Sequence, residues 1–370
     1  MDSVTQIALG SALGLSLIGP NAGARRSVAI GAVLGTLPDL DVFWPYADPV
    51  QSFTLHRSVT HSLLMQAIAA PFFVMALRPV LRDVTPLRCL LFVLAVLFTH
   101  SLLDAVTIYG TQLLWPLSHH PYGTGSVFII DPFYTLPLLA VTVAGLFRRR
   151  LGTMLHRASL VALLVSTAYL GWGLWAQSIA HARAARHMER SGLAPDRILA
   201  TPMPFSTLLW RVIVIDGSDY FNFYLPVLGG EESGTVYRHR RLALSDACLE
   251  EIDAFRTLRD FTKGFYSIGL AGNAVRMADI RMGVTPDYVF DFIIGERTTD
   301  GILAVVPEQI ESGRARESDL SWLLAGMVGV TEVRPAERAS LVADLSSGGG
   351  DLSKRAADAA TETDRMPCAR

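Results

Sequence analysis

The first 180 residues contain no lysine and no glutamate; their formal charges are ten arginines and seven aspartates, whereas the rest of the chain carries 22 basic and 27 acidic side chains. A stretch so poor in charge cannot coat itself for water, so the boundary near residue 180 marks a change of solvent. Over all 370 residues, 51% are apolar and 18% charged, which excludes a disordered chain. A net charge of -2 gives no electrostatic reason to expect a nucleic acid partner. Cys89, Cys248 and Cys368 are too few and too scattered for a disulfide framework or a thiolate zinc cage.

Six apolar stretches precede the boundary: Val4–Ile18, Val28–Trp44, Ser62–Val80, Leu87–Val106, Tyr134–Phe147 and Ala158–Ile179. A helix that crosses a bilayer core needs about 20 apolar residues. The expectation is a membrane α-helical bundle of about four to six crossings, the first and fifth stretches being short enough to be re-entrant. No basic segment precedes Val4, which argues against a cleaved signal peptide. Arg25 and Arg26, Arg78 to Arg88, and Arg148 to Arg157 fall in alternate loops. The positive-inside rule makes those loops cytoplasmic and puts the N-terminus and the domain after residue 180 on the outer side.

Residues 181–339 read as a small soluble β-rich (α+β) domain. Leu208–Ile215 and Tyr220–Leu225 flank the turn signal Asp216-Gly217, a hairpin pattern. Further strands are expected at 234–238, 264–270, 288–294 and 302–306, with a helix over 249–260. Residues 340–370, rich in Ser, Gly, Ala and Asp, read as a disordered tail.

Ionisable residues at membrane segments are costly and mark function by default. Here Asp39 and Asp41 close the second stretch, His56, Arg57 and His61 open the third, and His100 and Asp104 end the fourth. Singly, each has an ordinary explanation: a packed His100, a helix-capping Asp39 or Asp41, an Arg57 snorkelling to the interface. Three groups arriving at one depth point instead to a metal site. His100 and Asp104, four apart on a helix, share a face. Pro38 disfavours helix at Leu37, and in an extended break Asp39 and Asp41 would face the same side. His56 is expected in a loop and His61 in the first turn of a helix capped by Thr60 or Ser58. Imidazole with carboxylate suits zinc, and manganese or iron as well; six ligands, Asp39, Asp41, His56, His61, His100 and Asp104, are enough for one or two ions. His119-His120 lies in a polar loop and is expected to be solvated, and Asp131, before Pro132, to cap a helix.

The chain also resembles the YdjM-like inner-membrane proteins, described as metal-dependent hydrolases. The resemblance rests on Met1–Gln6, Gly35-Thr36-Leu37-Pro38-Asp39-Leu40-Asp41, His56-Arg57 with Thr60-His61-Ser62, Thr99–Asp104, Tyr109–Pro116 and Ile129–Pro132. It covers residues 1 to about 180 and departs at Gln6, where some relatives carry His.

A divalent ion would supply activated water, with Asp104 or Asp41 as ligand or general base and Arg57 pairing with a substrate anion. A site near the headgroups suits a membrane lipid or lipid-linked phosphoester. Two other classes stay open: a divalent-ion binding or transport protein, and a membrane-anchored interaction module.

Overall fold

The structure, a computed structural model, describes residues 1–228, 230, 233–311 and 317–345. Its contacts divide the chain into two units, one of Met1–Trp44, Leu55–Leu174 and Pro204–Ser206, the other of Pro45–Thr54, Trp175–Met203 and the residues from Thr207 on.

The first unit is helical. In chain order it holds α1 (Ser3–Leu17), α2 (Gly19–Ala22) and α3 (Ala24–Thr36); α4 (Pro49–Leu55) lies almost wholly in the second unit, and α5 (Leu63–Leu77), α6 (Pro86–Ala105), α7 (Pro132–Leu146) and most of α8 (Thr153–Arg190) complete the first. Glycines bring α1 and α3 together backbone to backbone: a Cβ on Gly10 would lie 2.2 Å from the Gly31 carbonyl oxygen. Lipid supplies no hydrophobic drive between helices, so such close approach is how they gain contact. Two apolar clusters fill the interior. Ala8, Leu15, Val28, Leu103 and Leu138 form one, and Ile18, Leu34, Phe92, Val93 and Val96 the other. Outward-facing Phe72, Met75, Leu87, Leu91, Leu136 and Leu164 are exposed, a surface that suits lipid and not water.

Fewer helices can cross a membrane than the four to six expected. Among the described residues two are long and apolar enough, Pro86–Ala105 and Thr153–Arg190, and a third arises only if the pair Pro49–His61 and Leu63–Leu77, bent by 53°, counts as one span. The cause is length. Ser3–Leu17 and Pro132–Leu146 have 15 residues each, about 22 Å against a hydrocarbon core of about 30 Å. The second stretch breaks at Pro38, leaving α3 only 13 residues.

The second unit is built on antiparallel sheets. A five-stranded sheet has the order β1-β2-β3-β4-β11, a four-stranded sheet β10-β9-β6-β5, and β7-β8 is a short ribbon. The strands are β1 (Arg197–Pro202), β2 (Leu209–Asp216), β3 (Asp219–Pro226), β4 (Thr235–Arg240), β5 (Tyr266–Ala271), β6 (Ala274–Asp279), β7 (Gly283–Val284), β8 (Asp287–Tyr288), β9 (Asp291–Arg297), β10 (Ile302–Gln309) and β11 (Leu341–Asp344). The expected hairpin is β2–β3: Asp216 pairs with Asp219, and Gly217 takes the left-handed conformation the turn requires (φ 55°). The expected helix is α9 (Asp253–Phe261), which buries Phe255, Leu258 and Phe261; α10 (Glu317–Met327) packs Trp322 and Leu323 against Leu209, Tyr224 and Tyr237. Of the tail expected from residue 340, Leu341–Asp344 pairs with β4 and so belongs to the sheet. Residues 346–370 lie outside the described residues.

A polar cluster is buried inside this unit. Glu337 accepts hydrogen bonds from Asn222 Nδ2, Tyr224 Oη, His239 Nε2 and Arg334 Nη1, each at 2.7 Å. These partners hold its carboxyl at a pKa of about 2, against the opposing effect of burial.

Candidate metal centre

Leu37 keeps right-handed dihedrals (φ -56°, ψ -44°) despite the following proline. The chain therefore tightens into a 3₁₀ turn, Pro38–Phe43, in place of the expected extended break. At about three residues per turn, positions two apart point about 120° from each other. Asp39 and Asp41 accordingly serve different neighbours.

Asp39 joins His61, His100 and Asp104 in one compact quartet. His61 ends a second 3₁₀ turn, Val59–His61. His100 and Asp104 project from the end of α6, four residues apart as expected. Ser62 caps α5 by accepting from Met65 N, which leaves Thr60 free for the site, so the expected cap from Thr60 or Ser58 is corrected.

The separations within the quartet are informative. His61 Nε2 lies 3.1 Å from His100 Nε2 and 3.2 Å from Asp104 Oδ2. Asp39 Oδ1 is 3.4 Å from each Nε2, and His100 Nε2 is 3.6 Å from Asp104 Oδ2. A tetrahedral ion with ligands at about 2.0–2.1 Å has ligand-to-ligand edges of about 3.3–3.4 Å. Five edges of such a tetrahedron are thus present.

The hydrogen bonds behind the imidazoles set their tautomers. His100 Nδ1–H donates to the Gly35 carbonyl at 2.7 Å, so in the neutral ring Nε2 carries a lone pair. Thr60 gives its hydroxyl proton to Asp41 Oδ2 (2.8 Å) and must accept from His61 Nδ1 (2.9 Å), so the neutral ring of His61 presents an Nε2 lone pair too. Two imidazole lone pairs and two carboxylate oxygens then face one point, mutually repulsive without a cation. Asp104 Oδ2 is buried without a hydrogen bond, although Arg57 Nε lies 3.2 Å away. A buried carboxylate oxygen that accepts no hydrogen bond has bonding capacity to spare, and a metal ion is a group that fits this donor set.

Asp41 and His56 stand beside the quartet. They pair with each other, His56 Nδ1 to Asp41 Oδ1 at 2.7 Å, and Asp41 Oδ2 accepts from Arg57 N and Thr60 Oγ1. The structure brings four of the six expected ligands together and gives Asp41 the task of orienting His61 through Thr60. Arg57, buried, adopts φ 66° and lays its guanidinium over the Tyr109 ring at 4.9 Å. For a residue with a Cβ this conformation costs about 1–3 kcal/mol and persists only where its surroundings impose it. Gln6 Nε2 and the Met1 amino group meet Asp104 Oδ1. Gln6, Gly35, Thr60 and Tyr109 also belong to the site; the sequence offered Thr60 only as a helix cap, Gln6 only as a departure from relatives, and Gly35 and Tyr109 only within matching runs. The Gly-Thr-Leu-Pro-Asp and Thr-His runs adjoining the ligands hold two of them. His119 and His120 are exposed, and Asp131 caps α7 while accepting from Tyr169 Oη at 2.8 Å, both as expected.

Because Asp41 acts through Thr60, Asp41→Asn is expected to weaken metal affinity about 10–100-fold without unfolding the helical unit. Zinc titration of the purified apo variant checks this, and unchanged affinity would show that Asp41 does not support the ligands.

The sequence of the helical unit has relatives. The chain is 32% identical to inner membrane protein YbcI of Escherichia coli (strain K12) over 139 residues, which are 35% of this chain and 77% of that protein. It is 27% identical to the uncharacterized protein YfhP of Bacillus subtilis (strain 168) over 149 residues, 38% of this chain and 45% of that protein, so it spans less than half of that relative. No solved structure matches. The profile of the YdjM inner membrane proteins matches residues 1–180, the stretch that carries every residue of the quartet, and the chain belongs to that family.

Proposed function

We propose that the chain is a membrane-embedded hydrolase whose quartet holds one zinc ion and whose substrate is a lipid-linked or amphipathic phosphoester. The observation that carries the reading is the convergence of Nε2 of His61, Nε2 of His100, Asp39 Oδ1 and Asp104 Oδ2 at tetrahedral spacing. A divalent ion bound there would acidify a water and polarise an ester oxygen.

Roles follow from burial. His61, His100 and Asp104 are sealed from solvent, while the Asp39 side chain is 21% exposed. Catalytic zinc sites keep three protein ligands and one exchangeable position. Asp39 is the ligand able to give way, and once released its carboxylate can take a proton from the attacking water. Asp41 is saturated by His56, Arg57 and Thr60, which makes it a poor base. Arg57 has Nε beside Asp104 and Nη1 on Thr107 (3.4 Å), which sets its guanidinium at the site, where it would pair with a phosphoryl oxygen. Exposed apolar side chains around the helical unit favour a substrate delivered by the membrane. The β-rich domain is proposed to be periplasmic, since Arg148, Arg149 and Arg150 precede α8 and mark that end as cytoplasmic.

Elemental analysis of detergent-purified protein, with hydrolysis assays on a phosphoester and an acyl ester, tests the proposal. One zinc per chain with chelator-sensitive phosphoester turnover is expected. Tightly bound zinc without turnover of either ester would turn the reading to ion binding or transport.

A further inference from the structure

One short turn of the helical unit carries both a member of the quartet and an unpartnered apolar surface. In Pro38–Phe43 the Asp39 carboxylate joins His61 and His100, while Leu40 and Val42 are exposed, Phe43 is 81% exposed and Trp44, which follows the turn, 68%. Residues three apart in a 3₁₀ turn eclipse one another, so Leu40 and Phe43 make one ridge. A second loop presents Leu114 and Leu117, both exposed, at the same end of the unit. It is tied beside His61: Leu63 N–H donates to the Leu113 carbonyl at 3.0 Å and Ser62 Oγ to the Trp115 carbonyl at 2.6 Å.

The depth of this surface follows from α6. Its 20 residues are long and apolar enough to cross a membrane, and at about 1.5 Å each they match the about 30 Å of a hydrocarbon core. Each end of α6 therefore lies at one face of the bilayer. His100 and Asp104 stand in its last two turns, and Asp39 Oδ1 is 3.4 Å from His100 Nε2. The turn that bears Asp39 is thereby held where hydrocarbon gives way to headgroups. An apolar surface at that level meets lipid, and tryptophan suits the place because its ring is apolar and its N–H polar. The same row of side chains in water would be an apolar patch without a partner.

The quartet opens toward this turn. His61, His100 and Asp104 are sealed, and Asp39, the neighbour of Leu40 in the chain, is the member with an exposed side chain. A lipid lying in the leaflet would rest its acyl chains on the Leu40–Phe43 ridge with its phosphoester beside Asp39. We propose that Leu40, Val42, Phe43 and Trp44 insert among the lipids of one leaflet, so that the metal centre takes a phosphoester lipid sideways from the bilayer and not from water. The lateral route rests on the hydrolase reading given above, whereas the insertion does not.

The test uses the full chain reconstituted in vesicles of phosphatidylethanolamine and phosphatidylglycerol. The emission of Trp44 is the difference between the parent and Trp44→Phe. That emission is expected to be lost to lipids brominated high on their acyl chains and to be shielded from aqueous iodide. Quenching by iodide without quenching by brominated lipid would overturn the proposal, and so would protection from both, which would mean that protein covers the turn. Phe43→Ser alters an exposed side chain and is expected to lower the ratio of vesicle-borne to water-soluble phosphoester turnover about tenfold, the scale of one aromatic group's transfer out of water. Equal losses on the two substrates would overturn the lateral route. If the parent hydrolysed neither substrate, the hydrolase reading would fail and the route with it, while quenching by brominated lipid would still establish the inserted turn.

Discussion

Replacing His100 with Gln, or Asp104 with Asn, is expected to empty the metal centre while leaving the helical fold in place. Each change keeps the approximate shape of the side chain and removes what an ion needs, an imidazole lone pair in one case and a full negative charge in the other. Both residues are sealed from water, so no solvent oxygen can readily replace them. The loss should exceed the about 10–100-fold typical of an outer-shell partner. The double variant should be little worse than either single one, because ligands of one ion act as a unit. The fold should survive, since Leu103, Phe92, Val93 and their neighbours provide the packing of α6. Metal content per chain in variants that elute like the parent is the measurement, and full retention in both single variants would remove α6 from the site. Asp39→Asn should differ from both: as the solvent-facing member it is expected to reduce turnover far more than metal content.

The second large effect is expected in the β-rich domain. Glu337→Ala would leave Arg334, Asn222, Tyr224 and His239 facing a vacated carboxylate site inside a buried cluster. Removing one partner of a buried, hydrogen-bonded ion pair costs about 3–5 kcal/mol. For a domain of this size that lowers the melting temperature by roughly 10 °C. The same cluster makes stability depend on pH. The folded Glu337 has a pKa of about 2 against an ordinary value of 4.5. A depressed folded pKa means stability that is fully present above about pH 4.5 and is lost as pH falls toward 2, on the order of 3 kcal/mol in total. The Glu337 side chain is fully buried, so solvent screening takes little from that figure. Thermal melts at pH 7 and pH 3 should show the parent losing stability with acid and Glu337→Ala losing much less. Parallel acid losses in both proteins would place the pH dependence elsewhere.

The YdjM assignment and the candidate metal centre concern the same 180 residues; the family was legible in the chain, and so were the residues from which the cluster is drawn. His100 and Asp104 fall on one helical face whatever surrounds them, because the spacing of four is a property of the α-helix. The Asp216-Gly217 turn announced the β2–β3 hairpin for an equally local reason. Less legible was which carboxylate and which imidazole would ligate. Asp39 and Asp41 are alike in the sequence, and the distinction between them comes from the 3₁₀ geometry after Leu37, which seats one on the histidines of two other elements and the other on His56. The expected extended break would have treated both alike.

Crossing number was misjudged for a related reason. Apolar composition reports that a segment avoids water, but helix length, set by breaks at Pro38 and in the stretch around His61, decides whether it reaches across a bilayer. Local composition also put the domain boundary near residue 180. Contacts place Pro45–Thr54 with the β-rich unit, because Phe53 finds its partners about 210 to 240 residues later in the chain, among Phe261, Phe290 and Phe292. Strand β11 was hidden in a stretch of weak composition and is defined by its pairing with β4. The sequence by itself determined the partition between lipid and water, the hairpin and the ligand types, since each follows from side-chain chemistry or from the period of a single element. Only the tertiary structure decided the ligand quartet, the number of possible spans and the attachment of the Phe53 loop, because each depends on side-chain direction and on partners distant in the chain.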